Sequence, residues 1–164
     1  MTIRSDQREP RTTPSVLDRL LDDNPRESSE THVAMFFDLR KFKRTVARDL
    51  ETLLNTRCVN LEDEIELYPA VRDSMLTFGI IDLSSLSLLS PNDRALLRDK
   101  IRRTIELHEP RLTKVKVTLN APEQFERMLR FRVDAILKVH PNKPPLVFDA
   151  MLQLSSNAYQ INEG

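Results

Sequence analysis

Glycine is nearly missing from this chain: among 164 residues only Gly79 and Gly164 are glycine. Loops that cradle phosphate need glycine to let the backbone close on the ligand, so mononucleotide and dinucleotide motifs are excluded. Cysteine occurs once, at Cys58, which excludes an internal disulfide and a cysteine-built zinc site. Its thiol reads as a packing or bystander group in a reducing compartment, since His32, His108 and His140 form no local arrangement with it. Tryptophan is absent and aromatics are scarce. Neither sign of charge dominates, because 25 basic residues cancel 25 acidic ones, and the basic footprint of a nucleic-acid binder is therefore missing. No apolar run approaches the roughly 20 residues of a membrane-spanning helix. The polar stretch Met1–Pro14 does not read as a secretory signal. What these absences leave is a chain of one-domain length, soluble and globular in composition.

The pattern along the chain predicts helices first and a sheet last. Residues 1–30 read as a polar, disordered tail that contains one short amphipathic helix (15–22) and a linker, and residues 31–164 as a single α+β domain. In the short helix, Ser15 suits the N-cap and Val16, Leu17, Leu20 and Leu21 form one apolar stripe. Two turns of helix do not hold together in water, so the stripe must dock, either on this domain or on another protein. A long helix is predicted from about Val33 to Thr56, with Phe36, Leu39, Phe42, Val46, Leu50, Leu53 and Leu54 near one face. A shorter helical stretch is predicted after Tyr68-Pro69, its apolar side made by Val71, Met75, Leu76 and Phe78, with Gly79 suited to a left-handed residue at its end. Ile80–Leu89 reads as a packed connection with little regular structure. Ser90-Pro91-Asn92-Asp93 is the best-marked helix start: a cap, a first-turn proline and an acid at the positive helix end. Leu97, Ile101 and Ile105 continue that helix at four-residue steps, and Pro110 ends it by forcing the preceding residue out of the helical region.

Three segments of period two follow. Val115, Val117 and Leu119 alternate with Lys114, Lys116 and Thr118. Leu129–Val139 and Leu146–Leu154 alternate in the same way, and residues 155–161 are candidates for one more short strand. Each segment has one polar face, which predicts an antiparallel meander of three to four strands covered on one side by the N-terminal helices.

Little in the chain suggests catalysis. A glycosidase needs two carboxylates at a defined separation. The cluster Glu62-Asp63-Glu64-Ile65-Glu66 reads as a solvated loop, and the arginine two residues from Glu109 argues for a salt bridge there rather than a proton donor. No Ser-His-Asp or Cys-His spacing can be picked out. No glycine-centred calcium loop or histidine spacing for zinc is present, so neither metal nor cofactor is expected. The basic strip of Arg98, Lys100, Arg102, Arg103, Arg111, Lys114 and Lys116 lacks interleaved aromatics and reads as a solvated or protein-facing surface. What remains is an interaction module. An uncovered edge of the meander can accept a strand from another protein, unless the chain's own tail blocks it. Glu109, Pro110 and Arg111 stand at the junction of the best-marked helix and the sheet, as a structural clamp or a recognition point.

Five segments occur in order: Pro14-Ser15-Val16-Leu17-Asp18-Arg19-Leu20, Arg48-Asp49-Leu50-Glu51-Thr52-Leu53-Leu54-Asn55-Thr56-Arg57, Tyr68-Pro69-Ala70-Val71-Arg72-Asp73-Ser74, Phe78-Gly79-Ile80 and Glu109-Pro110-Arg111. Together they resemble TssE, the type VI secretion baseplate subunit akin to the sheath-initiating wedge proteins of contractile phage tails. The resemblance runs from about Pro14 to Tyr159. It implies a non-enzymatic, cytoplasmic part of a secretion complex docked at the inner membrane. The partners it implies are other baseplate wedge subunits and contractile sheath subunits, with no nucleic acid, small-molecule substrate or membrane insertion. It also implies that Glu109, Pro110 and Arg111 contribute to wedge assembly, and that sheath strands add to the sheet. Related sequences are often labelled lysozyme-like, a label the carboxylates here do not support. A peptidoglycan hydrolase and a generic adaptor are the alternative readings.

Overall fold

The alternating segments at the end of the chain do pair into one sheet. A computed structural model describes residues 20, 39–58, 68–71, 74–80, 86–87, 90–120, 128–138, 144–153 and 156–163. Four antiparallel strands, β1 (Leu112–Leu119), β2 (Met128–Leu137), β3 (Pro145–Gln153) and β4 (Ala158–Glu163), lie in the order β1-β2-β3-β4. The architecture is thus α+β, with the helices α1 (Leu39–Asn55) and α2 (Pro91–His108) preceding the meander.

Period-two patterning sets the inward face. Leu129, Phe131, Val133, Ala135 and Leu137 of β2 are buried, as are Leu146, Phe148, Ala150 and Leu152 of β3, while Arg130, Arg132 and Asp149 stay exposed. Against that face α1 contributes Phe42, Val46, Leu50, Leu53 and Leu54, and α2 contributes Leu97, Ile101 and Ile105, in one continuous core. Of the two helices, α2 packs on β1 and α1 on β4. The cap of α2 forms as its sequence predicts: the Ser90 hydroxyl accepts from the Asp93 amide at 3.3 Å, and Pro91 sits in the first turn.

Several boundaries differ from the sequence reading. β1 begins at Leu112, two residues early, because Lys114 adopts φ 53° and inserts a bulge between Thr113 and Lys116. The extra residue changes the alternation, so that Leu112 and Val115 both point inward. The last strand runs over Ala158–Glu163 rather than 155–161, with the turn at 156–157 helped by Asn157 at φ 51°. The helix predicted after Tyr68 is instead two single 3-10 turns, Pro69–Val71 and Met75–Thr77. Ser74 stands between them: its hydroxyl donates to the Val71 carbonyl at 2.7 Å and accepts from the Leu76 amide at 3.2 Å, diverting the backbone from helix. Met75 and Leu76 consequently do not form an apolar side; they are 77% and 61% exposed.

Gly79 does take a positive φ, 110°, but the tighter constraint is space. A Cβ there would meet the Thr56 carbonyl oxygen at 2.5 Å, because Arg57 and Ile80 form a parallel bridge just after α1. The tail and linker of residues 1–30, the first part (33–38) of the helix predicted from Val33 to Thr56, the acidic cluster at 62–66, Val139 and Leu154 lie outside the described residues, apart from Leu20, which is helical and 76% exposed.

Candidate partner-binding site

The junction between α2 and β1 is built by its own sequence. Glu109 caps α2, donating its amide to the Ile105 carbonyl at 2.9 Å, and leaves the helical region at φ −119°, ψ 78° as a residue before proline must. A turn over Pro110 follows, in which the Leu112 amide donates to the Glu109 carbonyl at 3.1 Å. This places the Glu109 carboxylate inside the protein, 4% exposed, with Arg111 folded back onto it.

Arg111 holds Glu109 with three donors. Its Nε donates to Oε1 at 2.6 Å, its backbone amide reaches the same oxygen at 3.2 Å, and Nη2 donates to Oε2. Nη2 also pairs with Asp49 Oδ2 on α1 at 2.7 Å. The guanidinium carbon lies 5.7 Å from the centre of the Phe42 ring, so the cation rests over an aromatic face of the same helix. Asp49 in turn accepts from Arg48 Nε and Nη2 on its other oxygen at 3.0 and 2.8 Å. Acid and base alternate along the row Glu109, Arg111, Asp49 and Arg48. Burial works against the charge of Arg111, but hydrogen bonds and attraction from Glu109, then from Asp49, outweigh it and hold its pKa above the ordinary value. One side of the fork is uncommitted: Nη1 makes no hydrogen bond among the described residues.

A second tie fastens the end of α2. His108 Nε2 lies 2.8 Å from the Thr77 carbonyl oxygen, and its ring meets Phe78 edge-on at 5.4 Å. The junction therefore gathers α1, α2, the second 3-10 turn and β1 at one corner of the molecule.

Family models add an independent observation. The model of baseplate wedge protein gp25 matches residues 40–142. The chain belongs to the baseplate wedge gp25 family. The match begins in α1, takes in α2, β1 and β2, and so includes every residue of the ion row in this gp25-family chain. The resemblance to TssE fits that membership. No curated protein matches the chain significantly.

Of the residues the sequence singled out, Glu109, Pro110 and Arg111 come together, with Pro110 exposed at the turn. Leu20 is exposed and makes no part of this corner, while Val16, Leu17 and Leu21 lie outside the described residues. Reading the sequence missed Asp49 and Phe42. The signal for Asp49 was present, since a charged residue directly before the core residue Leu50 sits beside the buried face of its helix.

Other features are less suited to chemistry. A groove of about 650 Å³ runs between α1 and β4, lined among others by Arg44, Arg48, Glu51, Thr52 and Ile161. Its carboxylate, Glu51, accepts the Ile161 amide at 3.1 Å. Burial pushes the Cys58 thiol up from its ordinary pKa, away from the thiolate form a nucleophile needs. Among the described residues no three His, Cys, Asp or Glu side chains cluster as metal ligands, and no helix is long and apolar enough to cross a membrane.

Proposed function

We propose that this gp25-family protein is a TssE-like, non-enzymatic subunit of a type VI secretion baseplate, which joins the wedge to the contractile sheath and starts sheath polymerisation. The observation that carries the reading is the junction: an Arg111 clamp inside the family-matched segment, holding two helices and the first strand at one exposed corner. Both Glu109 oxygens are spent on Arg111, which leaves that carboxylate no lone role on a substrate. The exposed Pro110 and the uncommitted Nη1 of Arg111 give a neighbouring wedge subunit a rigid proline face and two directed donors. The sheet supplies the second surface, where a sheath strand adds to an edge by backbone hydrogen bonds. The helix over 15–22, through Val16, Leu17, Leu20 and Leu21, docks on a neighbouring subunit. The protein works in the cytoplasm, against a complex held at the inner membrane.

The test is affinity purification of tagged full-length protein from its native cells, with mass spectrometry of what comes along. Wedge and sheath subunits are expected. Recovery of neither, from cells that make both, overturns the reading.

A further inference from the structure

A meander of four strands has two outer edges, and here they are unequal. At β4 three outward backbone groups, the Tyr159 amide and carbonyl and the Ile161 amide, are taken by α1. Asn55 Oδ1 accepts from the Tyr159 amide at 2.8 Å, Asn55 Nδ2 donates to the Tyr159 carbonyl at 2.9 Å, and Glu51 Oε2 accepts from the Ile161 amide at 3.1 Å. Arg57 Nη2 continues the row, donating to the Asn157 carbonyl at 2.9 Å. Side chains of α1, and of Arg57 just past its end, thus stand along the first part of the edge, where a fifth strand would pair.

At β1 the accounting differs on the two sides of its bulge. Before the bulge, the outward amide of Leu112 is used by the Glu109 carbonyl. After it, Asn120 donates to the Arg130 carbonyl at 2.9 Å, which makes Asn120 and Arg130 a hydrogen-bonded pair. Alternation along an antiparallel ladder then turns Thr118 and Lys116 toward their partners Arg132 and Asp134, and turns the N–H and C=O of Val117 and Leu119 outward. None of those four groups has a backbone partner among the described residues. The bulge at Lys114 bends the strand away from regular pairing, so the open stretch has a defined start.

Side chains beside the open stretch say what fits it. Val117 is buried and Leu119 partly buried on the core face, whereas Lys114, Lys116 and Thr118 are exposed on the other. Neither lysine has an ion pair among the described residues. On the same face of β2, Arg132 is already bridged to Asp149, leaving Asp134 as the acid across from Lys116. An acidic residue on an added strand would lie directly beside Lys116, where opposite charges across strands attract.

The geometry points to Lys116–Leu119 of β1 as the edge that receives an extended strand from another polypeptide, one alternating apolar with acidic residues, with β4 closed to it. The proposal rests on the reading that a sheath strand adds to this sheet. The bulge sets the register of the incoming strand, since pairing can begin only beyond Lys114.

The edge is tested by placing the photo-crosslinking residue p-benzoylphenylalanine at Thr118 in one full-length protein and at Gln160 in another, each mixed with sheath subunits of the same gene cluster and irradiated. Adducts to a sheath chain from Thr118 and none from Gln160 are expected. The converse pattern overturns the edge assignment while leaving strand addition intact. No sheath adduct from either position, with the subunits still copurifying, overturns strand addition and this proposal with it. An adduct from Thr118 to the chain's own residues shows the edge covered from within and also overturns the proposal. As a second readout, Leu119→Pro removes one outward donor and should weaken sheath binding about five- to tenfold. Circular dichroism confirms that the variant is folded, and unchanged binding by that folded variant counts against the edge.

Discussion

Arg111 Nη2 reaches Asp49 Oδ2 at 2.7 Å across 62 positions of sequence, while its other contacts hold Glu109 two residues away. One guanidinium thereby fixes where α2 ends relative to α1. Arg111→Ala strands the Glu109 carboxylate, and the loss is expected to be about 2–3 kcal/mol, discounted for the partial exposure of Arg111 and Asp49. Arg111→Lys keeps a charge but not the fork, and is expected to lose about 1 kcal/mol. Urea melts of both variants, with Glu109→Gln and the double variant Glu109→Gln/Arg111→Ala, complete the cycle. If the pair is coupled, the double variant loses less than the sum of the singles; strict additivity would show that the two residues act apart.

Gly79 carries a different kind of constraint. Its φ of 110° and the 2.5 Å approach of a would-be Cβ to the Thr56 carbonyl oxygen both oppose any side chain. Gly79→Ala should cost about 2 kcal/mol or more, by pushing Ile80 off its bridge to Arg57 and breaking the 2.9 Å bond from the Ile80 amide to Thr56. A thermal melt measures the loss, and an unchanged midpoint would mean the bridge carries no weight.

How far this was legible from sequence differs by element. The cap of α2, its buried Leu97, Ile101 and Ile105, and the meander of β-strands could be read directly, because local capping chemistry and period-two alternation are short-range signals. The bulge at Lys114 could not, since lysine gives no sign that it will adopt φ 53°. Nor could the partner of Arg111: Glu109 is adjacent, but Asp49 becomes its neighbour only once both helices lie on the sheet. Met75 and Leu76 misled for the reason that hydrophobicity alone does not bury a residue in so short a turn.

Tyr159 offers a test by pH. Its ring is buried edge-on to Phe131 at 6.1 Å, its hydroxyl has no hydrogen-bond partner among the described residues, and burial pushes the phenol above its ordinary pKa. A raised folded pKa means the stability is whole below the unfolded value near 10 and is lost as pH rises above it. Tyr159→Phe removes both the orphaned donor and that titration. At neutral pH it should be neutral or stabilising by about 1 kcal/mol, and its advantage over the parent should widen above pH 10. Paired melts at neutral and alkaline pH check this, and a gap that stays constant would mean Tyr159 ionises freely in the folded state.

Asn55 closes the β4 edge at the cost of being irreplaceable there. Its amide group both donates and accepts at Tyr159, a pairing that copies a neighbouring strand. Asn55→Ala leaves an amide and a carbonyl at a sheet edge, with an expected loss of about 1–2 kcal/mol. Asn55→Asp keeps the acceptor for the Tyr159 amide but sets a carboxylate against its carbonyl, so it should not rescue. Hydrogen exchange gives the sharper readout. The Tyr159 amide should exchange faster in Asn55→Ala, while the amide of Ile161, held by Glu51, changes less. An opened β4 also presents a second edge for pairing, so the variant should self-associate more readily in sedimentation at high concentration. A variant that stays monomeric, with Tyr159 still protected, would mean the helix does not guard that edge.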